Sequence, residues 1–177
     1  MKTLKKVVLA LVLVSVAYAA DDVVNAVHGT ITKVDSATKT FVIKTADGTE
    51  HSMHVVDATT VHESDISAKD SWRGLKEGTE AVVHYTTAGT DDTALEIDKI
   101  GKGGLKSSEG TIEGIDRGGK KLVVTSGDGA QSTYRLTDHA AKDAGKGIGA
   151  GVEKGTKVTV YYTKDAGIRV AHFFEKD

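Results

Sequence analysis

The sequence has no cysteine and no proline, and its aromatic residues are few: one tryptophan, five tyrosines and three phenylalanines in 177 residues. Without cysteine no disulfide can form and no lipidated cysteine can anchor the chain, so every domain must be held by packing alone. Without proline, turns fall to Gly, Asn and Asp. A basic excess is also missing, since 23 Lys and Arg stand against 25 Asp and Glu. Sequence-independent binding to phosphate backbones relies on clustered Lys and Arg, so no nucleic-acid partner is expected.

What is present begins with a basic start, Met1-Lys2-Thr3-Leu4-Lys5-Lys6, followed by an apolar run from Val7 to Ala17 and then Ala17-Tyr18-Ala19. That order is a secretory signal peptide over residues 1–19, with cleavage expected after Ala19 and a periplasmic or secreted destination. The run is shorter than the roughly 20 apolar residues a spanning helix needs, so no membrane span is expected after cleavage. Cleavage removes three of the basic residues and none of the acidic ones, leaving 20 against 25 and a net charge near −5.

The remainder repeats itself. Gly29-Thr30-Ile31-Thr32-Lys33-Val34-Asp35 is answered by Gly110-Thr111-Ile112-Glu113-Gly114-Ile115-Asp116, and the register continues through Phe41-Val42-Ile43 with Leu122-Val123-Val124. After a four-residue shortening, Leu75-Lys76-Glu77-Gly78-Thr79 meets Val152-Glu153-Lys154-Gly155-Thr156, and Val83-His84-Tyr85-Thr86 meets Val160-Tyr161-Tyr162-Thr163. The last strand aligns only after a further shift, with Leu95-Glu96-Ile97 against Ile168-Arg169-Val170. The domains are therefore 25–101 and 109–177, with a Gly/Ser/Lys linker at 102–108.

Within each copy, short runs rich in Val, Ile, Thr and Tyr alternate with Gly and Asp turns. Strands are predicted near 28–35, 39–45, 50–56, 79–87 and 93–100. Asp47-Gly48 and Asp128-Gly129 suit tight type I′ turns, and Ser64 or Asp65 could cap a short helix that turns Ile66 and Trp72 inward. Five strands with an insert after the third give an all-β fold: two tandem five-stranded OB-like β-barrels. Each copy is small for a cysteine-free domain. The first half is acidic and the second mildly basic, so the halves are expected to support each other.

Chemistry-bearing residues concentrate in the first copy. Glu50-His51-Ser52-Met53-His54 and His62-Glu63-Ser64-Asp65 place imidazole and carboxylate at close range, which suits a divalent metal. Because side chains alternate along a strand, His51 and His54 point to opposite faces. A site would need His54, His62 and Glu63 to converge, with His84 as a further candidate. The second copy holds Glu109, Ser132, Arg135 and Tyr161 where the first has His28, His51, His54 and His84, so no duplicated histidine site exists.

Gly145-Lys146-Gly147-Ile148-Gly149-Ala150 fits a dinucleotide fingerprint only nominally, lacking the strand, helix and acidic partner that motif requires. No G-x-S-x-G elbow, cysteine nucleophile or calcium loop is present, so no enzymatic activity and no cofactor are expected. The second barrel offers a separate candidate, a ligand-binding face built from Tyr134, Arg135 and Tyr161 or a docking surface for the first copy, although alternation makes one of Tyr161 and Tyr162 a core residue, and likewise one of Phe173 and Phe174.

The pattern G-T-I-x-x-V/I-D, an apolar strand ending in Asp-Gly, then Leu/Val-x-x-Gly-Thr before a Val/Tyr strand resembles an uncharacterised family of exported bacterial small β-barrel domains. That resemblance implies an OB-like fold outside the cytoplasm and carries over no catalytic residue. The function expected is an exported, non-enzymatic binding or structural protein of the cell envelope, acting on a ligand or envelope partner the sequence does not name. Divalent metal binding by the first domain's histidines is the alternative.

Overall fold

The structure is a computed structural model that describes residues 24–62, 75–143 and 154–177. The signal-peptide segment, Glu63, the helix expected over 64–72 and the glycine motif at 145–150 lie outside those residues. Five strands form each half. The first has β1 (Val24–Asp35), β2 (Thr40–Lys44), β3 (Glu50–His62), β4 (Glu80–Ala88) and β5 (Asp91–Lys99). The second has β6 (Lys106–Asp116), β7 (Lys121–Thr125), β8 (Gln131–Leu136), helix α1 (Asp138–Asp143), β9 (Lys157–Asp165) and β10 (Ile168–Lys176).

Each half closes into a barrel, in the order β1-β2-β3-β5-β4 and its counterpart β6-β7-β8-β10-β9. The third and fifth strands run parallel and the first closes on the fourth, the OB-like arrangement, which leaves no sheet edge unpaired. Alternation along the strands sends Ile31, Phe41, Ile43, Met53, Val83 and Ile97 into one core and Ile112, Leu122, Tyr134, Leu136, Val160 and Phe174 into the other. Full burial of such a side chain contributes about 1.5–3 kcal/mol.

The two copies share their irregularities as well as their cores. The first strands carry a bulge at Thr32 and at Glu113, and Lys39 and Lys120 both take positive φ in the following turn. The β4–β5 and β9–β10 hairpins each carry a bulge, leaving Leu95 and His172 without a partner residue opposite. Since Val83 pairs with Ile97 and Val160 with Phe174, His172 answers to Leu95 and Phe174 to Ile97. The alignment of Leu95-Glu96-Ile97 with Ile168-Arg169-Val170 is thus corrected. Residue type favours the wrong register, since Ile168-Arg169-Val170 repeats the apolar-charged-apolar pattern and His172-Phe173-Phe174 does not. The shared bulge and the strand pairing identify the true counterpart.

Three local expectations also change. Only Gly48 and Gly129 of the Asp-Gly pairs have positive φ, so these turns are not type I′. Asp47 instead accepts a hydrogen bond from Thr49 N (3.0 Å), and Asp128 one from Ala130 N (3.0 Å). The segment between the barrels is a hydrogen-bonded turn, with Leu105 N donating to Lys99 O (2.7 Å) and Gly101 N to Leu105 O (2.9 Å), and Lys106–Ser108 already belong to β6. Finally, β3 does not stop near 56. Thr59 donates to Ala94 O (2.6 Å) and accepts from Val56 N (3.0 Å), and past this irregularity the strand resumes beside β5 as far as His62.

Gly29 and Gly110 lie where each first strand passes from its pairing with the fourth strand to its pairing with the second. A Cβ at Gly29 would strike the Lys44 carbonyl, and one at Gly110 would lie 2.7 Å from Thr125 O, whereas Gly114 has open space. Gly29→Ala and Gly110→Ala are each expected to cost about 2–4 kcal/mol, with Gly114→Ala changing stability by less than 1 kcal/mol. Urea denaturation of the three variants checks this ordering.

Candidate metal centre

The outward faces of the two last hairpins meet. Val82, Leu105, Tyr161 and Phe173 form a small apolar cluster between the barrels, with Ala26 and Ile100 packed against it. Because this cluster occupies the middle of the contact, the polar residues beside it on β5 and β10 are carried out of water. Glu96 and Asp98 are thereby buried, Asp98 completely.

Four ligand-bearing residues converge there: His62, Glu96, Asp98 and His172, each offering one atom within 4.8 Å of the others. Parallel pairing of β3 with β5 sets Thr60 against Glu96 and His62 against Asp98. The bulge in β10 releases His172 from the ladder, the use to which bulges near functional sites are commonly put. His172 Nδ1 lies 3.0 Å from Asp98 Oδ2 and 3.7 Å from Glu96 Oε1. His62 lies 3.5 Å from both Glu96 Oε1 and Asp98 Oδ1. Three of the four are buried and His62 is half-exposed.

The surroundings reinforce the charge. His139, from α1, lies with Nδ1 2.6 Å from Glu96 Oε2, and its ring packs 5.3 Å from that of His84. Burial disfavours the Glu96 carboxylate, yet hydrogen bonds from His139 and His172 and the charges of His84 and His62 hold it well below the usual carboxylate range. Burial likewise opposes charge on His172, but Asp98 and Glu96 override it and raise its pKa to about 9. Asp98 Oδ1 remains buried with no hydrogen-bond partner among the described residues. Beside it a cleft of about 350 Å³ opens between His62, Asp98 and Thr163 on one side and the Gly103-Gly104-Leu105 turn on the other.

Of the residues expected from sequence, His62 lies in this cluster. His54 stands on the outer surface of β3 beside Thr40 and Thr93, and Glu63 is outside the described residues. His84 sits behind the cluster, edge-on to Phe173 at 6.5 Å. The aromatic set is divided among three places: Tyr134 is buried in the second core, Arg135 is exposed, and Tyr161 is in the seam. Tyr134 packs on Tyr162 inside the barrel, so its ring offers no surface to a ligand. Glu96, Asp98, His139 and His172 carry no local motif, and the signal that links them is the contact between barrels.

No protein-family model and no curated protein sequence matches this chain. Solved structures similar to it include silver-bound CusF, 14% identical with a TM-score of 0.34, covering 44% of this chain and 97% of that one. Apo-CusF residues 6–88 from Escherichia coli is also 14% identical, with a TM-score of 0.36 over 47% of this chain and 94% of that one. Silver-bound CusF residues 10–88 from Escherichia coli gives 14% identity and a TM-score of 0.35 over 45% and 95%. At this identity the likeness is one of small-barrel shape.

A second polar bridge crosses the seam. His28 reaches Glu80 of its own barrel through Nε2 (2.9 Å) and Glu175 of the other through Nδ1 (3.0 Å), while the Tyr161 hydroxyl donates to Glu175 (2.7 Å). The bond to Glu175 raises the His28 pKa against the opposing effect of burial, with Glu80 adding to it. For Glu175, burial is outweighed by the bonds from His28 and Tyr161, which lower its pKa. The His28 contribution to stability is thus complete below its ordinary pKa of 6.5 and lost as pH rises through the raised value. That of Glu175 is present above 4.5 and lost as pH falls through the lowered value. The melting-temperature difference between the native protein and His28→Gln is expected to be largest between about pH 5 and 6.5 and to shrink toward pH 9. Paired melting curves across that range check it; a difference that grows with pH contradicts it.

Proposed function

We propose that this chain is a non-enzymatic protein that binds one divalent transition-metal ion between its two barrels, through His62, Glu96, Asp98 and His172. The observation that carries the reading is Asp98: a fully buried carboxylate whose Oδ1 has no hydrogen-bond partner among the described residues and faces an imidazole 3.5 Å away. Leaving a buried anionic oxygen unsatisfied is costly, and a cation among these side chains would satisfy it.

The donor set supports the charge and class of the ion. Two carboxylates balance a 2+ cation, and two imidazoles complete the set once His172 gives up its proton to the incoming ion. This mixture suits zinc, nickel or copper(II). Soft monovalent ions prefer sulfur, whereas the chain has no cysteine and Met53 is sealed in the first core. The adjoining cleft supports reversible exchange of the ion. The expected leader supports a site of action outside the cytoplasm, in the periplasm or beyond.

Purified protein is expected to bind one Zn²⁺ per chain by calorimetry, and a free-ion concentration a hundredfold above Kd should stabilise it by about 2.7 kcal/mol, raising Tm by roughly 5–10 °C. Asp98→Asn and His172→Ala should abolish that rise, and His54→Ala should retain it. A native protein that takes up no zinc, nickel or copper, or one whose uptake is lost in His54→Ala and kept in His172→Ala, overturns the reading.

A further inference from the structure

We infer that Thr163 and His139, neither of them a ligand, are the positioning residues of this centre: Thr163 determines which nitrogen of His172 faces the ion, and His139 determines which oxygen of Glu96 does. The inference rests on the metal-binding reading above and adds to it a specific orientation for two ligands.

Thr163 lies on β9 opposite Val170 of β10, and its Oγ1 is 3.1 Å from His172 Nε2. The other ring nitrogen, Nδ1, is the one turned toward Asp98 Oδ2 and Glu96 Oε1. A neutral imidazole carries one N–H and one lone pair. In the metal-free protein Nδ1 holds a proton shared with Asp98. An incoming cation would displace it, and with Nε2–H donating to the threonine hydroxyl the freed lone pair is on Nδ1, directed into the cluster. A hydrogen bond on the far nitrogen is the usual means by which proteins fix the tautomer and ring orientation of a ligating histidine.

Glu96 is divided in the same way. Its Oε2 is engaged by His139 Nδ1 at 2.6 Å, while Oε1 lies 3.5 Å from His62 Nε2 and 3.7 Å from His172 Nδ1. The carboxylate therefore presents a single oxygen to the ion and cannot swing to offer both without giving up that contact. His139 is itself placed by the short helix α1, where Thr137 accepts a hydrogen bond from Ala140 N (3.1 Å) and Lys120 pairs with Asp138.

The repeat shows which of these residues is the novelty. Thr86 stands in the first barrel where Thr163 stands in the second, opposite Thr93. The bulge residue beside it, however, is Leu95, so the first copy has no imidazole for that hydroxyl to orient. The threonine is common to both copies, and the histidine at the bulge is what gives it a partner.

Thr163→Val removes the acceptor with little change of shape, and Thr163→Ser restores it. Zinc affinity, read by competition with a chromophoric chelator, is expected to fall about 10- to 100-fold in Thr163→Val and in His139→Ala, and to stay within about threefold of native in Thr163→Ser. The visible spectrum of the cobalt-substituted protein should change in the first two variants and not in the third. In the native zinc form, ¹⁵N side-chain NMR should find His172 bound through Nδ1 with its proton on Nε2. Native-like affinity and cobalt spectrum in Thr163→Val, or coordination of native His172 through Nε2, overturns this assignment while leaving metal binding intact. A native protein that binds no metal overturns both. A purely structural role would lower Tm in the variants without moving affinity or spectrum, which also counts against it.

Discussion

Taking two carboxylates out of water costs several kcal/mol each unless cations or hydrogen bonds replace the lost hydration, and Glu96 and Asp98 are buried side by side on one strand. The second barrel is what makes that burial tolerable. It supplies His172 and His139 directly, and its Phe173 and Tyr161 close the apolar patch that excludes solvent. Neither barrel could keep this arrangement alone. The first would expose its acids to water, and the second would be left with histidines lacking their partners.

Duplication explains how such a seam can be assembled from one kind of part. Both copies present the outer face of the same hairpin, and both bulge at the same place in it. The copies differ in what stands there. Leu95, Glu96 and Asp98 of the first barrel correspond to His172, Phe173 and Glu175 of the second. Acids from one face consequently meet a histidine from the other, and Glu175 finds His28 across the same seam. The shared backbone supplies the geometry, and divergence at a few outward positions supplies the charge pairing.

The barrels themselves were legible in the chain. Alternation and Asp-Gly turns located five strands in the first copy, and the internal repeat extended their OB-like order to the second, because these signals are local or recur at nearly constant offset. The end of β3 and the register of the last strand were not located. The candidate site was legible only in part. His62 stood out beside Glu63 and Asp65, but the continuation of β3 to reach β5 depends on the irregularity at Val56–Thr59, which has no sequence signature. Glu96 and Asp98 stand in the last strand of the first barrel with no motif around them, and His172 stands alone between Ala171 and Phe173. Their meeting is decided by how two folded barrels dock, a relation spread over the whole length of the chain. The aromatic pairs were read correctly as alternating between core and outside, yet the outside of Tyr161 and Phe173 turned out to be the seam.

The central claim is that a single ion is held jointly by side chains of both barrels. Anomalous diffraction at the zinc edge from crystals grown with the metal tests it most directly. The account predicts one strong peak among His62, Glu96, Asp98 and His172, within bonding distance of atoms from β5 and β10 together. A peak confined to one barrel, on the outer face of β3 at His51 and His54, or no ordered peak at all in zinc-saturated crystals, would contradict it.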